Sequence, residues 1–258
     1  MLRAPAAWVT ASAAAFLTCG AHAVPQHARG TVPFVGCPEM EQGSHVSPPQ
    51  SKTATVDADD STAAQIAFYG SHSALGVAAP RGWHCIAFSG SSGATLLIAP
   101  TLVDTSLEHP PLTGSGIETV ELDGGTSGRF GVATYASRLF PGIAASFVRR
   151  VKAEGLVPAS QFDQGPFRTE SVTYSSSLVA HVSTPTGARG FGTQGGLGPG
   201  EPISSIVVLD TTGDWELYIV RMRLSGTSAT LGPVLLRIDE PCGSDKKCAG
   251  DPGNGTIH

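Results

Sequence analysis

Two serines framed by glycines, Gly90-Ser91-Ser92-Gly93, are the first residues whose types and spacing suggest chemistry. A serine nucleophile of this kind needs G-x-S-x-G on a strand-to-helix turn, which exposes its hydroxyl beside backbone oxyanion donors. Here the second glycine comes one residue early, and the run from Ala94 to Ala99 reads as a strand. A hairpin turn is therefore the expected use. A hydrolase built on Ser91 or Ser92 would take His84 or His109 as its base and Asp104 as the orienting acid. His84 beside Cys85 suggests a Cys–His pair, but neighbours on a strand face opposite sides, and a disulfide would consume the thiol. A structural cysteine next to a half-buried histidine is expected.

The other polar clusters are weaker. Eight histidines are scattered without H-x-H or H-E-x-x-H spacing, so no metal site is expected. Asp57, Asp59 and Asp60 are the densest carboxylates, but the glycine and bidentate glutamate of a calcium loop are missing; helix capping accounts for them. Glu118 and Glu121 straddle a strand and face opposite ways, which argues against a paired acid/base site. The Gly192–Gly200 run lacks the Lys-Ser/Thr of a phosphate loop. Asn254-Gly255-Thr256 matches a glycosylation acceptor, but the excess of arginine over lysine and the alanine-rich leader point to a bacterial source, so the match is read as chance. No catalytic set and no cofactor are expected. Arg81 and Trp83 are the candidate partner surface, because guanidinium and indole groups are favoured at interaction hot spots. The alternative is that Trp83 fills the core and Arg81 caps a turn.

The cysteines and the N-terminus set the compartment. Arg3 precedes an apolar stretch from Ala6 to Leu17, and Ala21-His22-Ala23 has the small-x-small form of a signal-peptidase site. A secretory signal peptide is expected over residues 1–23. The stretch is shorter than the roughly 20 apolar residues that span a bilayer. Cys19 raises a lipoprotein alternative, but Phe16-Leu17-Thr18 is too bulky for a good lipobox. After cleavage the formal charge moves from -5 to about -6, against a nucleic-acid footprint. Cys37, Cys85, Cys242 and Cys248 remain, an even number suited to two disulfides in an oxidising compartment. Three pairings are open. The short Cys242–Cys248 loop favours that pair together with Cys37–Cys85, and C-x2-4-C zinc spacing is missing.

These features need a scaffold to position them. Residues 24–58, rich in Pro, Gly, Ser and Thr, are expected to form an extended or flexible N-terminal arm, docked through Thr31–Pro38 and Cys37. A single domain follows over 59–240, and 241–258 is a disulfide-looped tail. Asp59, Asp60 and Ser61 offer caps for a helix running through Ala63 to Tyr69. Leu75–Ala79, Trp83–Phe88 and Ala94–Ala99 read as a three-stranded meander, and Ile117–Leu122 as a further strand. Helical spacing covers Arg129–Phe140, continues past Pro141 to Val151 and stops at Gly155. Val172 to Val182 alternates as one half-solvated strand, Ile203–Leu209 and Trp215–Arg223 form a hairpin, and Leu231–Ile238 is a last helix. The glycines of 187–200 suggest a mobile loop. The order predicts an α+β fold, a largely antiparallel sheet covered by helices on one or both faces.

Around Gly76-Val77-Ala78-Ala79-Pro80-Arg81-Gly82-Trp83 the chain resembles the opening hairpin of the Mog1/PsbP-like superfamily, which implies an α/β/α sandwich. Its Val-Pro-Phe-Val-Gly-Cys and Ala-Pro-Arg-Gly-Trp-x-Cys segments also resemble a group of uncharacterised exported bacterial proteins. The superfamily includes non-catalytic binding and assembly modules and shares no catalytic motif. The combined expectation is a periplasmic or secreted non-catalytic module that binds an unknown envelope or extracellular protein. A serine-dependent hydrolase and a structural envelope protein are the alternatives, the latter marked by a stable oligomer without a small-molecule ligand.

Overall fold

Strands build more of this molecule than helices do. The computed structural model describes residues 29–101, 111–162 and 165–239. The first half carries β1 (Arg29–Gly36), β2 (Glu39–Glu41), β3 (Ser44–Val46), β4 (Thr53–Asp57), α1 (Asp60–Ala63), β5 (Ile66–Gly70), β6 (Val77–Pro80), β7 (His84–Gly90), β8 (Gly93–Ala99) and β9 (Gly116–Asp123). Then come α2 (Arg129–Leu139), α3 (Pro141–Ala153), β10 (Ser171–Ser176), β11 (Val179–Thr184), β12 (Ile203–Asp210), β13 (Glu216–Arg223) and α4 (Gly232–Ile238).

The strands form a nine-stranded sheet, in order β10-β11-β12-β13-β9-β8-β7-β2-β3, and a four-stranded sheet, β4-β1-β5-β6. Pairing is antiparallel except for β1 with β5 and β2 with β7, so both sheets are mixed. The class is α+β.

Residue parity decides what each face of the large sheet buries. Leu217 and Ile219 of β13, Val207 and Leu209 of β12, and Ala180 and Val182 of β11 pack against Val132, Ala136, Ala144 and Phe147 of α2 and α3. Leu96 and Ile98 of β8, Ile117 of β9, and Val220 and Met222 of β13 face the other way. They share a core with Val32, Ile66, Phe68 and Ala78 of the small sheet and with Leu235 of α4. Pro141 begins α3 at a position where its missing N–H costs nothing, and Gly155 follows at φ +66°. No helix among the described residues is long and apolar enough to cross a membrane.

Four expectations are corrected. Residues 29–57 are extended but not a loose arm, because β1 pairs with β4 and β5, and β2 pairs with β7. The helix expected through Ala63 to Tyr69 stops at Ala63, although Asp59 does cap it by accepting the Thr62 N–H at 2.8 Å. Ile66–Gly70 is a strand buried at every position, and burial from both sides erases the alternation by which a strand is read. The expected meander divides: β6 belongs to the small sheet, and the antiparallel run is β7-β8-β9. The single strand expected over Val172–Val182 is a hairpin, β10 and β11, turning at Ser177-Leu178.

Candidate functional site

The ends of β2, β7, β8 and β9 leave a cleft of about 320 Å³ on the small-sheet side. Its wall is made by Glu41 and Gln42 from β2 and its turn, Ser73 from the loop after β5, Ser89 and Ser91, and Glu121, Asp123 and Thr126. Two local features shape it. Gln42 and Gly43 turn in the left-handed region, at φ +47° and +88°. Gly93 sits at φ +138°, and a Cβ there would overlap the Glu121 carbonyl, so only glycine lets β8 approach β9 this closely.

Buried bonds stiffen the wall. Glu39 is 1% exposed; its carboxylate accepts the His72 and Ser73 N–H groups at 3.0 and 3.2 Å and the Ser89 hydroxyl. Burial alone would push this carboxyl up, but bonds from Ser73, Ser89 and His72 outweigh it and hold it below the ordinary Glu range. One group thus ties β2, β7 and the loop after β5 together. Across the cleft, Glu121 lies opposite Tyr218 of β13. The Tyr218 phenol donates to Glu216; its pKa is pushed far up by burial first, then by that bond and by the charges of Glu121, Glu216 and Asp210. The local field is therefore negative. Glu41, Glu121 and Asp123 line the cleft without a single Lys, Arg or His among its described lining residues. Such a surface attracts cations and has hydroxyls for hydrogen bonding, and no histidine base stands beside those hydroxyls among the described lining residues.

The serines show this directly. Ser91 and Ser92 form the two-residue turn of the β7–β8 hairpin, both exposed, with Gly90 paired to Gly93. The Ser91 hydroxyl lies 3.3 Å from that of Ser127. His84 stands at the opposite end of β7, paired with Ala99, roughly 23 Å away at about 3.3 Å per residue. His109 and Asp104 lie outside the described residues, as do residues 1–28, Cys242, Cys248 and Asn254.

The chain matches no family model, no curated protein and no solved structure. The site is read from its own residues.

Cys37 and Cys85 are joined in a disulfide that ties the end of β1 to β7, and so one sheet to the other. Arg81 and Trp83 lie between β6 and β7, where the chain passes from the small sheet to the large one. Arg81 donates to the carbonyls of Ala63 and Ile66 at 3.1 and 3.4 Å. Trp83 is half-buried against the shared core, and its backbone N–H donates to the Tyr69 hydroxyl, which donates to the Pro80 carbonyl. Neither residue lines the cleft. Among the described residues, no three His, Cys, Asp or Glu side chains are placed to hold a metal ion.

Sequence reasoning missed the buried charges on the helix side of the large sheet. Arg221 and Arg223 are both 0% exposed. Arg221 donates to Glu118 at 3.0 Å and to the Tyr135 hydroxyl at 3.2 Å, while Glu118 also accepts the Gly196 N–H at 2.7 Å. Arg223 donates to the carbonyls of Leu112, Gly114 and Gly198. Together they pin the glycine-rich 187–200 segment, with Phe191 and Leu197 buried beneath it. The expectation of a mobile loop there is corrected: its glycines serve close packing, since a Cβ on Gly195 would strike Glu118 and Arg221. A signal existed. Continuing the period of Trp215, Leu217 and Ile219 places both arginines on the buried face.

Proposed function

We propose that this protein is an exported, non-catalytic binding module, periplasmic or secreted, and that its acid-lined cleft receives a basic segment of an envelope or extracellular protein. The observation that carries this reading is the cleft itself: Glu41, Glu121 and Asp123 around hydroxyl groups, with no cation among the described residues of the wall. Opposite charge across such a contact speeds encounter and sets specificity. The leader pattern and the Cys37–Cys85 disulfide support export. For the fold, we infer the Mog1/PsbP-like arrangement, supported by the antiparallel run β7-β8-β9 after Pro80-Arg81-Gly82-Trp83 and by α2 and α3 on one face of that sheet. The hydrolase alternative has less support, because Ser91 and Ser92 occupy an exposed hairpin tip with His84 at the far end of the strand.

The test is calorimetric binding of a Lys/Arg-rich peptide to the mature, oxidised protein, beside a Glu41→Gln/Glu121→Gln variant and an Arg81→Ala/Trp83→Ala variant. The expected result is salt-sensitive binding that weakens about tenfold in the acid-cleft variant, a change of about 1.4 kcal/mol. Binding equal in wild type and acid-cleft variant overturns the assignment of the cleft. Loss confined to the Arg81/Trp83 variant moves the partner surface to the sheet crossing.

A further inference from the structure

The last helix among the described residues ends on a carboxyl group that the fold buries beside one backbone donor. Asp239 follows α4 directly, and its backbone N–H closes the last turn on the Leu235 carbonyl. The residue is 7% exposed. One side-chain oxygen accepts the Ala78 N–H at 2.7 Å. The other is buried and has no hydrogen-bond partner among the described residues. Ala78 belongs to β6, the edge strand of the small sheet, so the carboxyl occupies a strand edge that would otherwise be open. Leu231 and Leu235 seat the helix beside it in the shared core.

Charge in that position is costly. A carboxylate removed from water needs several donors or a cation to offset desolvation, and here it has one amide. Among the described residues the surrounding elements bring little else. The β6 sequence Val77-Ala78-Ala79-Pro80 has no ionisable group, and neighbouring β5 has only the Tyr69 phenol, bonded to the Pro80 carbonyl. The turn before α4, Gly226–Leu231, carries no charge, and Arg237 of α4 is exposed. A helix C-terminus also disfavours negative charge. Burial accordingly raises the Asp239 carboxyl well above its usual range, with only the Ala78 amide working against it.

We propose that α4 is a pH-gated latch on the small sheet: it seats fully on β6 while Asp239 carries its proton, and ionisation loosens it and uncovers the Ala78 edge. The sign follows from linkage. With α4 displaced, Asp239 ionises near its ordinary value of 3.8; with α4 seated, it ionises higher. The opening constant therefore rises about tenfold per pH unit between those two values and levels off above the second. This latch is independent of the acid-lined cleft.

Amide hydrogen exchange on the full mature chain tests it, measured from pH 4 to pH 8 and corrected for intrinsic exchange. The opening constants of the Ala78 and Asp239 amides should climb about tenfold per pH unit and then level off. Amides in β12 and β13 should stay flat, and an Asp239→Asn variant, which keeps the acceptor for Ala78, should abolish the slope. A carbon-13 NMR titration of the wild-type Asp239 carboxyl provides a second readout that needs no variant. A carboxyl that titrates near 3.8, or wild-type opening as flat as that of the Asn variant, overturns the proposal.

Discussion

Glu118 and Glu121 lie three residues apart on β9, and strand parity turns them to opposite faces of one sheet. Glu118 is 2% exposed and paired with a fully buried arginine. Glu121 is half-buried at the wall of an open cleft, beside Asp123 and across from Glu41. One is part of the packing, the other part of a cleft wall. The residue type is the same; the difference comes from what the rest of the fold brings to each face. On the helix side, Arg221 and the Gly196 N–H converge on the carboxylate, and the Tyr135 hydroxyl holds Arg221. On the small-sheet side the strand ends diverge and leave space.

The sharpest way to break this comparison is to remove the cation. Arg221→Met should destabilise the protein by about 3–5 kcal/mol, because it leaves Glu118 buried and unpaired. Denaturant unfolding would show it, and protease sensitivity should appear in residues 187–200. Adding Glu118→Gln should recover much of that loss. A double variant no more stable than Arg221→Met alone would mean that the carboxylate is not the source of the cost.

The disulfide comes next, since it ties together the two sheets that enclose the small-sheet-side core. Cys37→Ser/Cys85→Ser should cost about 2–4 kcal/mol in the chain-entropy picture, read as a lower melting temperature that matches the reduced wild type. An unchanged melting temperature would show that the shared apolar core holds the sheets together without the disulfide.

Glu39 sharpens the comparison from the acid side. Its folded pKa is depressed, so the stability it contributes is present above the ordinary Glu value of 4.5 and is lost as pH falls through the folded value. A Glu39→Gln variant should therefore lose part of the acid-side dependence of unfolding below pH 4.5. A wild-type acid profile in that variant would place the dependence on other carboxylates.

The smallest effect on stability should come from the cleft. Glu41→Gln/Glu121→Gln should change unfolding free energy by less than about 0.5 kcal/mol per site, while weakening a basic peptide as described above. A large stability loss would show that these carboxylates are structural after all, and the contrast with Glu118 would collapse.

Local patterns already carried much of this architecture. The stop at Gly155, the Asp59 cap, α2 and α3, the β12–β13 hairpin and the Cys37–Cys85 pairing all rest on turn chemistry, periodicity and loop length. Ile66–Gly70 was illegible because a strand buried on both faces has no polar phase and looks like a helical apolar run. The division of β6 from β7 was illegible too, because Pro80-Arg81-Gly82 signals a turn without saying whether the next strand returns to the same sheet.

The sequence by itself determined the class, the element types where periodicity is clean, and the turn chemistry of Ser91-Ser92. Those depend on residues close together in the chain, where backbone preference and side-chain period act directly. Tertiary structure alone decided the site. The cleft gathers β2, β7, β8 and β9 with the loop after β5; Glu118 meets Arg221 across a separation of 103 residues, and Asp239 meets Ala78 across 161. Whether a carboxylate is a buried anchor or lines an open cleft depends on its burial and on the donors that reach it, and both are properties of the packed molecule.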